Sequence, residues 1–384
     1  MLDTSVRYYD STMAGAPALP GVAGALIGLL DACGKDGFGS VTLNSLVVAG
    51  NVATGTVSAG HNFAMIGGAV GPVITIAGAT PAGLNGTWRI ASVPNSTTFT
   101  FATSGIADQT ATGTITAKRA PLGFSKVFSG TNKAAYRADD VASSRLYLRV
   151  ADDGTGAATY ARVRGFETMS DVDTGTGPFP TDAQVSGGLY WGKSSAANAT
   201  ARAWRIIGDY AGFVLAVLQD GATGWIASYA GDIPSEKAGD AYRMLLVGGT
   251  VVTVSQMGPL HTINSTDGHY MARSYLQTGT AITASKDTHR FMASGMGYYA
   301  NPGIAYPSPT GNQFYCSPVD IWNGGNVLRG VLPGVYCPLH PATALTDGAF
   351  VSGVIGLDSK TLLIQKSGGA ALFACAIDIS GPWR

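Results

Sequence analysis

The sequence feature that most constrains the fold is the alternation of apolar and polar residues from Phe124 to Leu218. The clearest run, from Arg145 to Val150, reads RLYLRV, with apolar side chains at every second position. Glycine- and aspartate-rich turn sequences at 152–156 and 208–212 separate such runs. Alternation of this kind places one strand face on a core and the other toward solvent or a partner. We therefore predict an antiparallel β-module here.

A second pattern, near the start of the chain, predicts one short N-terminal helix. Pro20 suits a first helical position, and Gly34 is a natural C-terminal stop. Between them, apolar residues recur at helical spacing and form one stripe: Val22, Leu26, Leu29, Leu30 and Cys33. This stripe could pack on the chain's own sheet or on a neighbouring subunit, and the sequence leaves both alternatives open.

Short alternating runs between 48 and 118 predict a small β-domain inserted into the body of the chain. The Asn85-Gly86 pair is a strong turn signal, and the segment 98–102 alternates phenylalanine with threonine. Strands on either side could pair without the insertion, so we expect the body to fold without it. The predicted regions are 1–47 (arm, helix and first strand), 48–118 (inserted β-domain), 119–257 (central antiparallel β-module) and 258–384 (loop-rich C-terminal β-region). The fold class is mainly β, with antiparallel sandwich or barrel modules.

Charge content argues for assembly rather than for binding of polyanions. Charged residues make up 12% of the chain, about half of the roughly 25% usual in soluble domains. The 24 basic and 24 acidic residues cancel, which leaves no electrostatic footprint for nucleic acid or an anionic membrane. No stretch reaches the roughly 18 apolar residues of a membrane span. Weakly charged surfaces favour self-association, so we expect a subunit of a symmetric or pseudo-symmetric oligomer.

Candidate chemical sites are weak, and we predict no enzyme activity, no catalytic residues, no cofactor and no metal. Asp171 and Asp173 alternate as in calcium loops, but the next acidic positions are missing, which favours a capped turn. Scattered histidines at 261, 269 and 289 have no accompanying carboxylate or nucleophile motif. The four cysteines lack paired spacing and are best interpreted as buried free thiols.

The candidate interface residues are aromatic residues near the two ends, the helix stripe and the strand arginines. We predict that the N-terminal arm or the C-terminal tail reaches a neighbouring chain. The arginines could meet a neighbour's acids, or pair locally with Asp139, Asp140, Asp152 and Asp153. The predicted contact residues are Tyr8, Tyr9, Leu26, Arg145, Arg149, Arg164 and Trp383.

Particular segments resemble structural proteins of tailed bacteriophages. The Leu-Asn-Gly-Thr turn at 84–87 and the Thr-Phe-Thr-Phe strand at 98–101 resemble a small immunoglobulin-like module found on phage particle proteins. The segments at 136–137, 147–150, 169–172, 178–180 and 204–209 are similar to phage structural proteins. The resemblance covers about residues 60–215 and transfers no catalytic residue.

The resemblance implies a virion component that is assembled in the host cytoplasm. The expected function is a tail-associated structural subunit of the tail tip, the baseplate or the head-to-tail region. The alternatives are a capsid decoration protein and a receptor- or glycan-binding virion protein with a host-surface ligand. Expected partners are copies of the chain and other virion proteins, with no nucleic acid and no membrane.

Overall fold

The computed structural model describes residues 3–155, 157–221, 225–252, 260, 268–288, 304–309, 311–323, 327–367 and 373–384. These ranges hold 27 strands, nearly all paired antiparallel, and one short helix near the N-terminus. The predicted mainly β class, with antiparallel sheets and a single short helix, is confirmed. The candidate histidines His261 and His289 lie outside the described residues.

The strand bounds, in chain order, are β1 (Arg7–Asp10), β2 (Phe38–Thr42), β3 (Ser45–Ala49), β4 (Val52–Thr56), β5 (Val73–Ala77), β6 (Gly86–Asn95), β7 (Thr98–Ala102), β8 (Gln109–Thr110), β9 (Thr116–Arg119), β10 (Phe124–Gly130), β11 (Lys133–Ala138), β12 (Tyr147–Ala151), β13 (Tyr160–Phe166), β14 (Thr168–Met169), β15 (Gly175–Thr176), β16 (Leu189–Gly192), β17 (Trp204–Asp209), β18 (Gly212–Leu218), β19 (Trp225–Asp232), β20 (Met244–Val247), β21 (His269–Met271), β22 (Ile282–Thr288), β23 (Cys316–Asn323), β24 (Val327–Pro338), β25 (Phe350–Val351), β26 (Leu362–Ser367) and β27 (Phe373–Asp378). The helix α1 spans Ala25–Leu30 and continues as a π-helical turn over Asp31–Asp36. Short 3₁₀ turns lie at Ala82–Leu84 and Ala342–Ala344.

Three large sheets organise the described strands, and a two-stranded β14–β15 ribbon accompanies them. The largest has twelve strands in the order β1-β17-β18-β19-β20-β21-β22-β23-β24-β27-β26-β25. A five-stranded sheet has the order β10-β11-β12-β13-β16, and an eight-stranded sheet has the order β2-β9-β5-β6-β7-β4-β3-β8. The largest sheet contains strands from both sides of residue 257. The boundary predicted there therefore does not separate two sheets.

The first strands of the largest sheet are buried on both faces. On β18, Phe213, Leu215 and Val217 pack toward the helix and the five-stranded sheet. Val214 and Ala216 face the opposite way, into a core shared with the later strands of the same sheet. The expectation of one face on a core and one toward solvent or a partner is wrong for this stretch. The continuous apolar run FVLAVL at 213–218 is what a strand covered on both faces requires.

The apolar stripe of the helix packs on the chain's own core and not on a neighbouring subunit. Leu26 and Leu29 are fully buried there, whereas Val22 is 39% exposed and lies outside the stripe. The helix begins later than Pro20, because Gly24 adopts a left-handed conformation at the N-cap (φ 81°) and Asp152 accepts the Leu26 amide at 2.8 Å. It also passes the predicted stop at Gly34.

The eight-stranded sheet curls around a core of its own. That core includes Ile74, Ile90, Phe99 and Phe101, each at most 1% exposed. The long strand β6 joins the two halves of the sheet, because it pairs with β5 at one end and with β7 at the other. The sheet also includes β2, ahead of the predicted insertion at 48–118, so the described unit extends over 38–119.

Two glycines give opposite predictions for substitution by alanine. A Cβ at Gly165 would lie 2.1 Å from the ring of Phe179, which is fully buried and has no room to move. We expect Gly165→Ala to lower the free energy of unfolding by about 1–3 kcal/mol. At Gly28, exposed on α1, a Cβ would meet nothing within 4 Å. Gly28→Ala should raise the free energy of unfolding by about 0.5–1 kcal/mol. Urea unfolding of both variants checks this, and equal midpoints would contradict it.

Candidate functional site

The predicted contact residues near the two ends are packed inside this chain. Tyr8 and Tyr9 lie on β1, which pairs with β17, and they are 8% and 2% exposed. The Tyr9 hydroxyl donates to the Ala120 carbonyl. Trp383 is 7% exposed, and its indole N–H donates to the Asp378 carbonyl at 2.9 Å. In this structure the arm is therefore paired into the chain's own sheet, and Trp383 of the tail packs in the core beside that sheet; with buried Leu26 they offer little surface to a neighbour.

Two of the three candidate arginines pair locally, but with other acids than those expected. Arg149 forms an ion pair with Asp173, and Arg164 forms one with Asp182. Of the expected partners, Asp152 pairs instead with Lys193, and Asp139 accepts from Ser125. Arg145 adopts a left-handed backbone conformation at φ 56°, and its Nε has no hydrogen-bond partner among the described residues.

The calcium-like sequence at 171–177 forms a capped turn. One oxygen of Asp171 accepts the amides of Asp173 and Thr174, both at 2.8 Å. These bonds stabilise the ionised form and lower the pKa of Asp171. Asp173 is held by Lys133 and Arg149. In the described part of the chain no group of three or more His, Cys, Asp or Glu side chains is placed to hold a metal ion.

A cleft of about 820 Å³ lies where three distant parts of the chain meet. One wall is the end of β1 with the turn after it, at 8–14. The second wall is the loop at 58–67 of the small β-domain, together with Ser96 and Thr97. Phe350 on β25 closes the third side. The cleft is the candidate functional site because ligand sites favour concave surfaces between structural units.

His61 fixes the shape of the loop that forms the second wall. Its Nδ1 accepts the Phe63 amide at 3.0 Å, so its Nε2 carries the proton and donates to the Asn95 carbonyl at 3.1 Å. The ring also stacks on Phe63 and meets Phe99 edge-on. With both ring nitrogens engaged and 1% exposure, His61 positions the loop and offers no free group for catalysis.

Arg119, at the end of β9, joins the walls of the cleft. Its Nη2 donates to the Asn62 carbonyl at 2.8 Å, and its Nη1 lies 3.5 Å from the Ala14 carbonyl. The guanidinium lies against the rings of Phe38 and Phe63, at 5.6 and 5.4 Å from their centroids. It is 4% exposed, and burial lowers its pKa.

Asp10 supplies a carboxylate at the edge of the same cleft. Its Oδ1 accepts the Thr12 amide at 2.8 Å and also the Thr12 hydroxyl. The neighbouring Tyr8 hydroxyl has its pKa raised, first by burial and then by the charge of Asp10. The cleft therefore contains one cation and one anion that do not form an ion pair with each other.

Sequence reasoning missed this site. Asp10, His61 and Arg119 lie far apart along the chain, with more than a hundred positions between the first and the last, and they share no motif spacing. The only local signal was the pair Lys118-Arg119 at the end of a strand, next to the predicted domain boundary.

Comparisons with known proteins add little to this picture. No protein-family model matches the chain, and no curated protein matches it. Among solved structures, the phage phi92 endosialidase aligns with 89% of this chain and 52% of its own, at 12% identity and a TM-score of 0.16. The chain thus spans about half the length of that protein, and agreement this low supports no inference about fold or function. Among the described residues, no helix has the length and apolar character to cross a bilayer.

Proposed function

We propose that this chain is a structural subunit of a tailed-bacteriophage particle, associated with the tail tip, the baseplate or the head-to-tail region. It acts by packing against copies of itself and other particle proteins. The observation that carries the proposal is the small β-domain, which has a core of its own. The chain enters this domain through β2 and leaves it through β9, and these two strands pair with each other. In that pair Phe38 lies opposite Arg119, and Val41 lies opposite Ala117.

The residues behind the resemblance to an immunoglobulin-like phage module have structural roles in this domain. Asn85 accepts the Ala79 amide and donates to the Ala79 carbonyl, both at 2.8 Å, which fixes the turn into β6. Phe99 and Phe101 are fully buried in the domain core. Because these residues build the turn and the core, the resemblance rests on residues that determine this domain's fold. This supports the proposal that the domain is a grafted particle module.

The small β-domain is also fixed against the body, as a rigid part of a particle would need. Ile66 and Val70, from the loop before β5, pack in the core of the largest sheet. Arg89 on β6 donates from Nη1 to the Gly71 carbonyl and from Nη2 to the Val6 carbonyl, both at 2.8 Å. The domain is therefore attached by side-chain contacts as well as by its two connecting strands.

Removal of the small β-domain tests its independence. Replacing residues 43–115 with a short glycine linker between Thr42 and Thr116, which are register partners, should leave a body that melts cooperatively. The melting temperature should fall, because Ile66 and Val70 no longer fill the body's core. The full chain with both residues changed to alanine is the control and should show most of this loss. Aggregation of the shortened chain, with the control folded, would show that the body depends on the domain.

The particle assignment is tested on purified phage that encodes this chain. Quantitative mass spectrometry should find the chain at a low copy number relative to the major capsid protein, and imaging should place it on the tail. A copy number close to that of the capsid protein would favour a decoration protein instead. Absence of the chain from washed, infectious particles would reject the proposal.

A further inference from the structure

We propose that the cleft between the N-terminal arm and the small β-domain binds a monocarboxylate sugar, with Arg119 as the carboxylate-binding residue. The cleft volume of about 820 Å³ lies within the roughly 300–1,000 Å³ of small-molecule sites. The inference goes beyond the particle assignment and does not depend on it.

The guanidinium of Arg119 has unused hydrogen-bonding capacity. An arginine side chain carries five N–H donors. Of these, one makes a bond of ordinary length, to Asn62, and one makes a long contact at 3.5 Å, to Ala14. The Nε of Arg119 is enclosed by protein and has no hydrogen-bond partner among the described residues, so it is not counted as a donor for a ligand. Carbonyls and aromatic rings hold the side chain in place, and these contacts use two of the four N–H donors on its Nη groups.

Arg119 differs from three other buried cations in the described part of the chain, each of which has an acidic partner. Arg7 is paired with Asp3, Lys193 with Asp152, and Arg329 with Asp240. No carboxylate in the described part of the chain lies within ion-pair distance of Arg119, although the side chain is 96% buried. A buried charge without a partner is costly, and a ligand carboxylate would supply both the charge and the acceptors.

The rest of the cleft suits a hydroxylated ring better than a polyanion. Asp10, Ser58 and Thr97 line it and provide acceptors and donors for hydroxyl groups. Tyr8 and Phe350, in edge-to-face contact at 6.0 Å, provide an apolar surface for one side of a sugar ring. The carboxylate of Asp10 would repel a second negative charge on the ligand. These features together select one carboxylate and several hydroxyls.

The test is titration of the full chain with D-glucuronate, followed by NMR, with D-glucose as the neutral comparison. Glucuronate should bind with a Kd on the order of 1 mM. Glucose should bind at least about 10-fold more weakly, because it lacks the charge-assisted bond to Arg119. Arg119→Met should lose the binding. Arg89→Met is the matched control, since Arg89 also bonds only to carbonyls but does not line the cleft; it should bind like the parent.

A second variant keeps the test decisive if Arg119→Met does not fold. Ser58 is exposed and lines the cleft, so Ser58→Trp should fill the cleft without disturbing the core, and it should abolish binding. The proposal is overturned if the parent does not bind glucuronate, if glucose binds equally well, or if folded Arg119→Met or Ser58→Trp retains parental affinity. None of these outcomes would alter the copy number of the chain in particles, so the two proposals fail separately.

Discussion

Replacing Asp152 with alanine should lower the free energy of unfolding by about 3–5 kcal/mol. The Asp152 carboxylate pairs with Lys193, and both side chains are fully buried. It also accepts the Leu26 amide at 2.8 Å at the start of α1. Lys193 in turn donates to the Val22 carbonyl at 2.5 Å. Removal of the carboxylate therefore leaves a buried ammonium and a helix N-terminus without their partner.

The adjacent Asp153 provides the matched control for this prediction. Its carboxylate accepts the Thr155 amide, at 3.0 Å and in an exposed position. We expect Asp153→Ala to cost less than about 1 kcal/mol. Guanidinium unfolding of both variants, followed by circular dichroism, measures the difference. Similar midpoints for the two variants would show that the buried pair does not anchor the helix.

A double variant separates the cost of breaking the pair from the value of the pair itself. Burial raises the pKa of Asp152, although Lys193 and the Leu26 amide lower it. Desolvation is thus the largest influence on this carboxyl, as expected when burial outweighs attraction. The double change Asp152→Leu with Lys193→Met should therefore be much less destabilising than Asp152→Ala, because it leaves no unpaired buried charge.

Trp383→Ala should lower the free energy of unfolding by about 3–5 kcal/mol, as much as Asp152→Ala. The indole packs in the core of the largest sheet and covers Gly334, where a Cβ would lie 2.1 Å from the ring. Its N–H donates to the Asp378 carbonyl. Truncation leaves a cavity beside Gly334 and an unsatisfied carbonyl. Trp383→Phe keeps most of the ring, and it should cost clearly less than the alanine change.

Thermal and urea unfolding of the two Trp383 variants measure this ranking. If neither Trp383→Ala nor Trp383→Phe lowers the free energy of unfolding, the tail does not contribute to the stability of the fold. The same experiment bears on assembly. A tail that stabilises its own chain is already occupied, and it is not free to exchange with a neighbour.

Local patterns predicted the strands well, because strand formation depends on neighbouring positions. The run RLYLRV at 145–150 contains most of β12, which begins two residues later at Tyr147, and the Thr-Phe-Thr-Phe segment became β7 at its predicted bounds. The pairing of strands was harder to predict. β24 pairs with β27 rather than with the next strand along the chain, and no local pattern encodes this choice. The burial of β18 on both faces likewise depends on later strands folding back over it.

The prediction of the helix start was wrong, and the cleft was not predicted at all, for a related reason. The helix begins at Ala25 because Asp152, more than a hundred residues away, caps it. The cleft forms from Asp10, the 58–67 loop, Arg119 and Phe350, which only the tertiary fold brings together. Sequence patterns report periodicity over some ten residues. They do not report which distant side chain will satisfy a given amide or leave a given cation unpaired.

The double burial of β18 has a consequence for the order in which the molecule opens. Its amides are bonded within ladders to β17 and β19, and both of its faces lie in cores. Exchange of these amide hydrogens with deuterium therefore requires the whole body to open. The amides of β7 lie in a separate, smaller core, and they can exchange when that unit opens alone. The chain then has two protection levels, and the more labile one lies in the small β-domain.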